Sequence, residues 1–189
     1  NGLNRIADFR VDGNSKLAIA NNGNLLLQGS ANQISAYNSV GSFQNILVQS
    51  QDFTTTWTTS SISAITANGQ TAPDGSTTAE RLATSGSGGY VQQATSTAIS
   101  AVDHTFSVWV KSSSGTQSFD LELDGTTGGT AIVQNHTATT SWQRFSVTGT
   151  VASGTGNVQV RIYPGTTAST GTVDAWGAQV EISSAANVY

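Results

Sequence analysis

Asp120 and Glu122 stand two residues apart in Phe119-Asp120-Leu121-Glu122-Leu123. A two-residue step along a strand puts their side chains on one face, about 7 Å apart. That separation falls inside the window of about 5–10 Å that a glycosidase carboxylate pair requires. Their surroundings argue against catalysis. Acids at alternate strand positions read as a solvated polar stripe, and nothing nearby predicts the raised pKa a general acid needs. His104 and His136 are isolated, without His-x-x-x-His or Glu-x-x-His spacing. Cysteine is absent, which excludes thiolate nucleophiles, thiolate metal sites and disulfides. The chain therefore reads as non-enzymatic.

Binding chemistry is better supplied. An aromatic ring can stack on the apolar face of a pyranose while carboxylate, amide and guanidinium groups bond its hydroxyls. Trp109 alternates with Phe106, Val108 and Val110, and Tyr163 opposes Val160 and Ile162. If these strands share a sheet, Trp109, Tyr163, Arg161, Asp120, Glu122 and Lys111 line one shallow face. The competing reading has Trp109 and Tyr163 packing on the N-terminal segment or a neighbouring subunit, since aromatic residues and Arg are enriched at interfaces. Trp57, Trp142 and Trp176 read as core or edge packing. Trp176 is in phase with Val180 and Ile182, which predicts that they are buried together.

Strands must position these groups, because no window repeats apolar residues with helical spacing. Short alternating runs recur between Gly, Asn, Ser and Asp clusters. Candidate strands are Asn45–Gln49, Ser61–Thr66, Ala79–Ala83, Tyr90–Ala94, His104–Lys111, Ser118–Leu123, Ala131–Gln134, Trp142–Val151, Asn157–Tyr163 and Thr172–Ile182. Four alternate clearly. Phe106, Val108 and Val110 share one face; so do Phe119, Leu121 and Leu123, then Phe145 and Val147, then Val158, Val160 and Ile162. A turn signal about every ten residues is the pattern of a sandwich. Pro73-Asp74-Gly75 predicts a type I or II turn.

Residues 1–44 differ. Asp12-Gly13-Asn14 and Asn21-Asn22-Gly23-Asn24 fall between short apolar runs, which predicts tight hairpins. Their apolar content is too small for a core of their own, so a stalk shared between chains, or a hairpin on the main body, is expected. The organisation read from the sequence is a β stalk or attachment segment over 1–44, a sandwich over 45–183 and a tail over 184–189.

Composition narrows the partners. Charged residues make up 10% of the 189 residues, against about 25% in an average domain. Only seven are Lys or Arg, and the net charge is −4, so no nucleic-acid footprint and no basic membrane face is present. No run approaches the roughly 20 apolar residues of a spanning helix. Four Trp, four Tyr and six Phe argue against disorder. The lack of methionine makes the chain read as a processed part of something longer.

The succession Asn45-Ile46-Leu47, Gln51-Asp52-Phe53, Trp57, Ala72-Pro73-Asp74-Gly75, Thr78-Ala79-Glu80-Arg81-Leu82, Thr105-Phe106-Ser107-Val108-Trp109-Val110-Lys111, Trp142-Gln143-Arg144-Phe145, Val160-Arg161-Ile162-Tyr163 and Ala175-Trp176-Gly177-Ala178-Gln179-Val180-Glu181 resembles the jelly-roll modules of phage tail fibres and other virion proteins. Those modules look like carbohydrate-binding modules. The likeness spans about residues 45–182, and the closing Trp-Gly-Ala-Gln-x-Glu is its most specific piece. Residues 8–13 and 22–25 are similar to short β repeats that precede such modules.

The resemblance implies an all-β, two-sheet jelly-roll sandwich preceded by a short β-hairpin or stalk. It implies a non-enzymatic virion appendage, a tail fibre or capsid decoration in a virion or extracellular setting. Such a subunit would be a homo-oligomer, expected as a trimer, held to other virion proteins through its N-terminal segment. Weak, multivalent contact with a host surface glycan would serve attachment. The alternatives are a carbohydrate-binding module of a polysaccharide-degrading enzyme and, more remotely, a glycan depolymerase. No cofactor is required. A structural calcium is common in such jelly rolls, and Asp52, Asp174 and Glu181 are the expected oxygen donors.

Overall fold

Alternation of β-branched and aromatic residues with Ser, Thr, Asn and Gln suits a pleated strand with one dry and one wet face. The described residues form thirteen strands and no helix. The structure is a computed structural model. It describes the backbone of residues 5–11, 14–20 and 25–27, and all of residues 44–128, 130–151 and 154–189. The chain divides into two compact units, Asn1–Ser42 and Phe43–Tyr189.

In the first unit, β1 (Arg5–Val11), β2 (Asn14–Ala20) and β3 (Leu25–Leu27) form an antiparallel sheet in the order β1-β2-β3. Val11 lies opposite Asn14, and Leu17 opposite Leu27. The turns expected at Asp12-Gly13 and Asn21-Asn22-Gly23-Asn24 lie outside the described residues.

The second unit contains β4 (Thr58–Ser60), β5 (Ile62–Gln70), β6 (Ala79–Thr84), β7 (Tyr90–Ala98), β8 (Asp103–Ser112), β9 (Gln117–Thr127), β10 (Ile132–Ala138), β11 (Gln143–Thr150), β12 (Thr155–Tyr163) and β13 (Thr172–Glu181). They make two five-stranded antiparallel sheets. The first has the order β10-β9-β12-β7-β4, the second β11-β8-β13-β6-β5. The chain changes sheet at most of its connections, so neighbours in sequence usually face each other across the core.

That core follows the alternation. Phe106, Val108, Val110, Phe119, Leu121, Leu123, Val158, Val160 and Ile162 are all fully buried in one cluster. Removing a buried Leu or Phe side chain of this kind costs about 2–5 kcal/mol.

Two expectations are corrected here. Asn45–Gln49 is not a strand. Its backbone donors are taken by side chains: Leu47 N–H bonds Asn45 Oδ1, and Val48 and Gln49 N–H both bond Gln93 Oε1. Ile46 N–H still reaches the carbonyl of Val180, and Ala178 N–H reaches that of Ser50, so this stretch lies along β13. Second, Trp176 is buried, but not in phase with Val180 and Ile182. The β8–β13 register shifts between Trp176 and Gln179, around Gly177 at φ +64°. A glycine bulge of this kind reverses the facing of the residues before it relative to those after it. Val173, Ala175, Ala178 and Val180 point into the core, Trp176 joins a separate cluster with Ala72 and Ala79, and Ile182 is exposed.

Candidate functional site

Glu122, Arg161 and Gln92 occupy one rung across the first sheet: Arg161 is opposite Glu122 on β9 and opposite Gln92 on β7. Their neighbours Leu121, Ile162 and Val91 point into the core, so this rung points outward. Arg161 Nη1 is paired with Glu122 Oε1 and lies 3.3 Å from Asp124 Oδ2, while its Nε donates to Gln92 Oε1 at 2.9 Å. The Tyr163 hydroxyl donates to Glu122 Oε2 at 2.8 Å. The guanidinium sits 5.1 Å from the centre of the Tyr90 ring, and Tyr90 meets Tyr163 edge-on at 5.4 Å. On the next rung Asp120 accepts from Asn135 Nδ2 at 2.7 Å and from Thr167 N–H at 2.8 Å.

The acids are not the solvated stripe expected. Asp120 is 4% exposed and Glu122 3%. Carboxylates can be withdrawn from water here because Arg161, Tyr163, Asn135 and a backbone N–H replace their hydration. Burial opposes the charge on Arg161, and Glu122, then Tyr163 and last Asp124 together outweigh it, so the guanidinium is held above its usual pKa. Burial, and then the bond to Glu122, push the Tyr163 hydroxyl well above the ordinary phenol range. The result is a prearranged patch of two rings, a cation, carboxylates and an amide on the outside of one sheet.

Trp109 and Lys111 are elsewhere. They lie on β8, in the second sheet, so the single face expected for all six residues does not assemble. Asp120, Glu122, Arg161 and Tyr163 come together, whereas Trp109 and Lys111 point out from the opposite layer. Lys111 Nζ lies 4.9 Å from the centre of the Trp142 ring and 3.9 Å from Asp174 Oδ2. Trp109 pairs across strands with Trp176 and with Arg144. Residues 183–189 run back over this face. Asn187 N–H bonds Glu181 Oε2, its carbonyl accepts from Arg144 Nη1, and the Tyr189 ring packs on Trp176 at 4.8 Å.

The acids named for calcium are also apart. Asp174 is clamped by Arg81 at 2.7 and 3.2 Å. Glu181 follows it by seven residues on the same strand, about 23 Å at the rise of an extended chain. Asp52 is half-buried, and hydrogen bonds from Thr54 and Thr55 lower its pKa to about 2. Among the described residues no group of three or more His, Cys, Asp or Glu could hold a metal ion. Two ring-face residues went unnoticed in sequence, Tyr90 and Gln92. Their opposition to Val91 was the available signal.

These features define a class: a two-sheet jelly roll with a polar, ring-bearing outer face. No family model and no curated protein matches the sequence. Solved structures do. The CBM22-1–GH10 modules of a Clostridium thermocellum endo-1,4-beta-D-xylanase 10B, complexed with xylohexaose, align with TM-score 0.55 and 16% identity over 77% of this chain and 29% of that one. The CBM22-1 xylan-binding domain from Paenibacillus barcinonensis aligns with TM-score 0.52 and 14% identity over 77% of this chain and 100% of that one. The enzymatically active domain of tailspike protein 4 from bacteriophage CBA120 aligns with TM-score 0.52 and 12% identity over 73% of this chain and 22% of that one. The chain thus spans less than a third of the xylanase and tailspike chains. What they share with it is the jelly-roll fold.

Proposed function

We propose that residues 44–189 form a non-catalytic glycan-binding module whose binding surface is the outer face of the first sheet. The observation that carries this is the patch of Tyr90, Gln92, Glu122, Arg161 and Tyr163. It fixes ring faces and hydrogen-bonding groups before any ligand arrives, which reduces the ordering cost of binding. Asp120 and Glu122 already accept hydrogen bonds from neighbouring groups, a role of orientation rather than proton transfer. The fold shared with a xylan-binding domain supports the same reading. No cofactor is needed.

Affinity electrophoresis against soluble xylan, β-glucan, galactan and mannan tests it. At least one polysaccharide should retard the chain, and Tyr90→Ala and Arg161→Gln should weaken the retardation. Retardation unchanged in both variants places the site elsewhere. Release of reducing sugar that disappears in Glu122→Gln would replace binding by a depolymerase.

Two settings for such a module differ in assembly. A module of a polysaccharide-degrading enzyme would be monomeric, and the xylanase likeness favours it. A trimeric virion appendage, attached through residues 1–42, is favoured by the tailspike likeness and the separate first unit. Mass photometry of the 189-residue chain separates them: a stable trimer supports the appendage and a monomer the enzyme module.

A further inference from the structure

We propose that the cleft on the outside of the second sheet is a second binding site, for a pyranose ring of a neutral glycan. The cleft has a volume of about 440 Å³ and is walled by Pro73, Asp74, Trp109, Arg144, Trp176 and Tyr189. That volume lies within the range of small-ligand sites, about 300–1,000 Å³, and the mix of rings with a few polar groups is what such sites use. The assignment takes its ligand class from the glycan-binding reading of the first sheet and its location from separate residues.

The indole donors single out Trp109. Trp57 Nε1 donates to Gln49 O at 3.1 Å, Trp142 Nε1 to Thr71 O at 2.9 Å and Trp176 Nε1 to Thr78 Oγ1 at 2.9 Å. Trp109 Nε1 has no acceptor among the described residues. A half-exposed indole without a partner in the protein keeps its donor available to a ligand. Its pyrrole edge, which carries that N–H, lies beside Gly177: a Cβ there would sit 3.4 Å from Trp109 Cδ1 and 3.2 Å from Tyr189 Cζ. Glycine at this point lets the two rings close on one space.

The rim selects a neutral, hydroxyl-rich ligand. Asp74 and Arg144 bring opposite charges, so neither sign of ligand is favoured overall. The Arg144 Nη groups are already given to the Asn187 carbonyl, to Ser107 Oγ at 2.9 Å and to Gln179 Oε1 at 2.8 Å, which leaves no fork for a carboxylate. Asp74 Oδ1 accepts from Ser76, and its Oδ2 has no partner among the described residues. A ring with an apolar face and hydroxyls that both donate and accept matches an indole plane, an indole N–H and a carboxylate oxygen.

The two faces can be read independently, because the outer face of the first sheet carries Tyr90 and Tyr163, whereas this cleft carries Trp109 and Trp176. Methyl glycosides of xylose, glucose, galactose and mannose are titrated to their solubility limits into the full chain, with indole N–H and tyrosine ring signals followed by NMR. At least one glycoside should move the Trp109 indole signal. In Trp109→Ala, the response read at Trp176 should weaken about tenfold, as expected for loss of one stacked ring. In Asp74→Asn, which leaves the rings in place, it should weaken without vanishing. The Trp109 response should persist in Tyr90→Ala. Movement of Trp109 with silent Tyr90 and Tyr163 signals supports this cleft and overturns the first-sheet reading. A Trp109 signal unmoved by all four glycosides, or moved only when Tyr90 is intact, overturns the proposal. So does concentration-dependent self-association that buries Trp109.

Discussion

Arg161 neutralises two acids, Glu122 and Asp124, and the first of these is almost wholly out of water. Replacing it with Met leaves Glu122 with the Tyr163 hydroxyl alone, an uncompensated buried charge. Urea denaturation of Arg161→Met should show a loss of about 3 kcal/mol. Tyr163→Phe removes one bond to the same carboxylate and leaves the cation, so the loss should be nearer 1–2 kcal/mol. Equal losses would show that the guanidinium is not the main counter-charge. His136 adds a pH dependence. Its ring lies against Phe119 and Phe145, its Nε2 is buried without a partner among the described residues, and burial lowers its pKa despite a bond to the Ser146 backbone and the nearby Asp120. A lowered histidine contributes stability above its unfolded pKa near 6.5, and that stability is lost as pH falls through the folded value. His104 acts in the same sense, while burial of Glu80 raises its pKa and acts in the opposite one. The drop in melting temperature from pH 7 to pH 5.5 should therefore be smaller in His136→Phe than in the parent. An unchanged drop would mean that the ring carries no proton-linked penalty.

Strands were the readable part of the sequence, and sheets were not. Period-two alternation tells which side of a strand is dry, so the burial of Val108, Leu121 and Val160 was legible. It does not tell which layer a strand joins, and for that reason Trp109 and Lys111 were grouped with residues now seen on the other side of the sandwich. The withdrawal of Asp120 and Glu122 from water was hidden too, because it depends on Arg161 and Asn135 reaching across from other strands. β4 was missed because three residues carry too little pattern. The bulge at Gly177 was missed because a Gly-Ala pair looks the same in either phase. That bulge is testable as an element. Gly177→Ala forces a side chain into a positive-φ position and against Tyr189, and should cost about 1–3 kcal/mol. Tryptophan fluorescence should shift as the Tyr189 ring leaves Trp176. A variant as stable as the parent, with unchanged emission, would show that β13 tolerates another bend.

Two separate units imply two separate stabilities. The second unit encloses its own core, from Phe53 at one end to Val180 at the other. Residues 43–189 expressed alone should unfold in one cooperative transition, within a few degrees of the corresponding transition in the full chain. A molten or aggregated fragment would show that the first unit completes the fold. One further consequence follows from the path of the backbone along β13. Ile46 is hydrogen-bonded to Val180, and Asn187 to its neighbour Glu181, so the polypeptide comes in and goes out at nearly the same spot. A body threaded in this way behaves as a cassette: it can be spliced into a longer polypeptide or lifted out of one while the flanking segments keep their course.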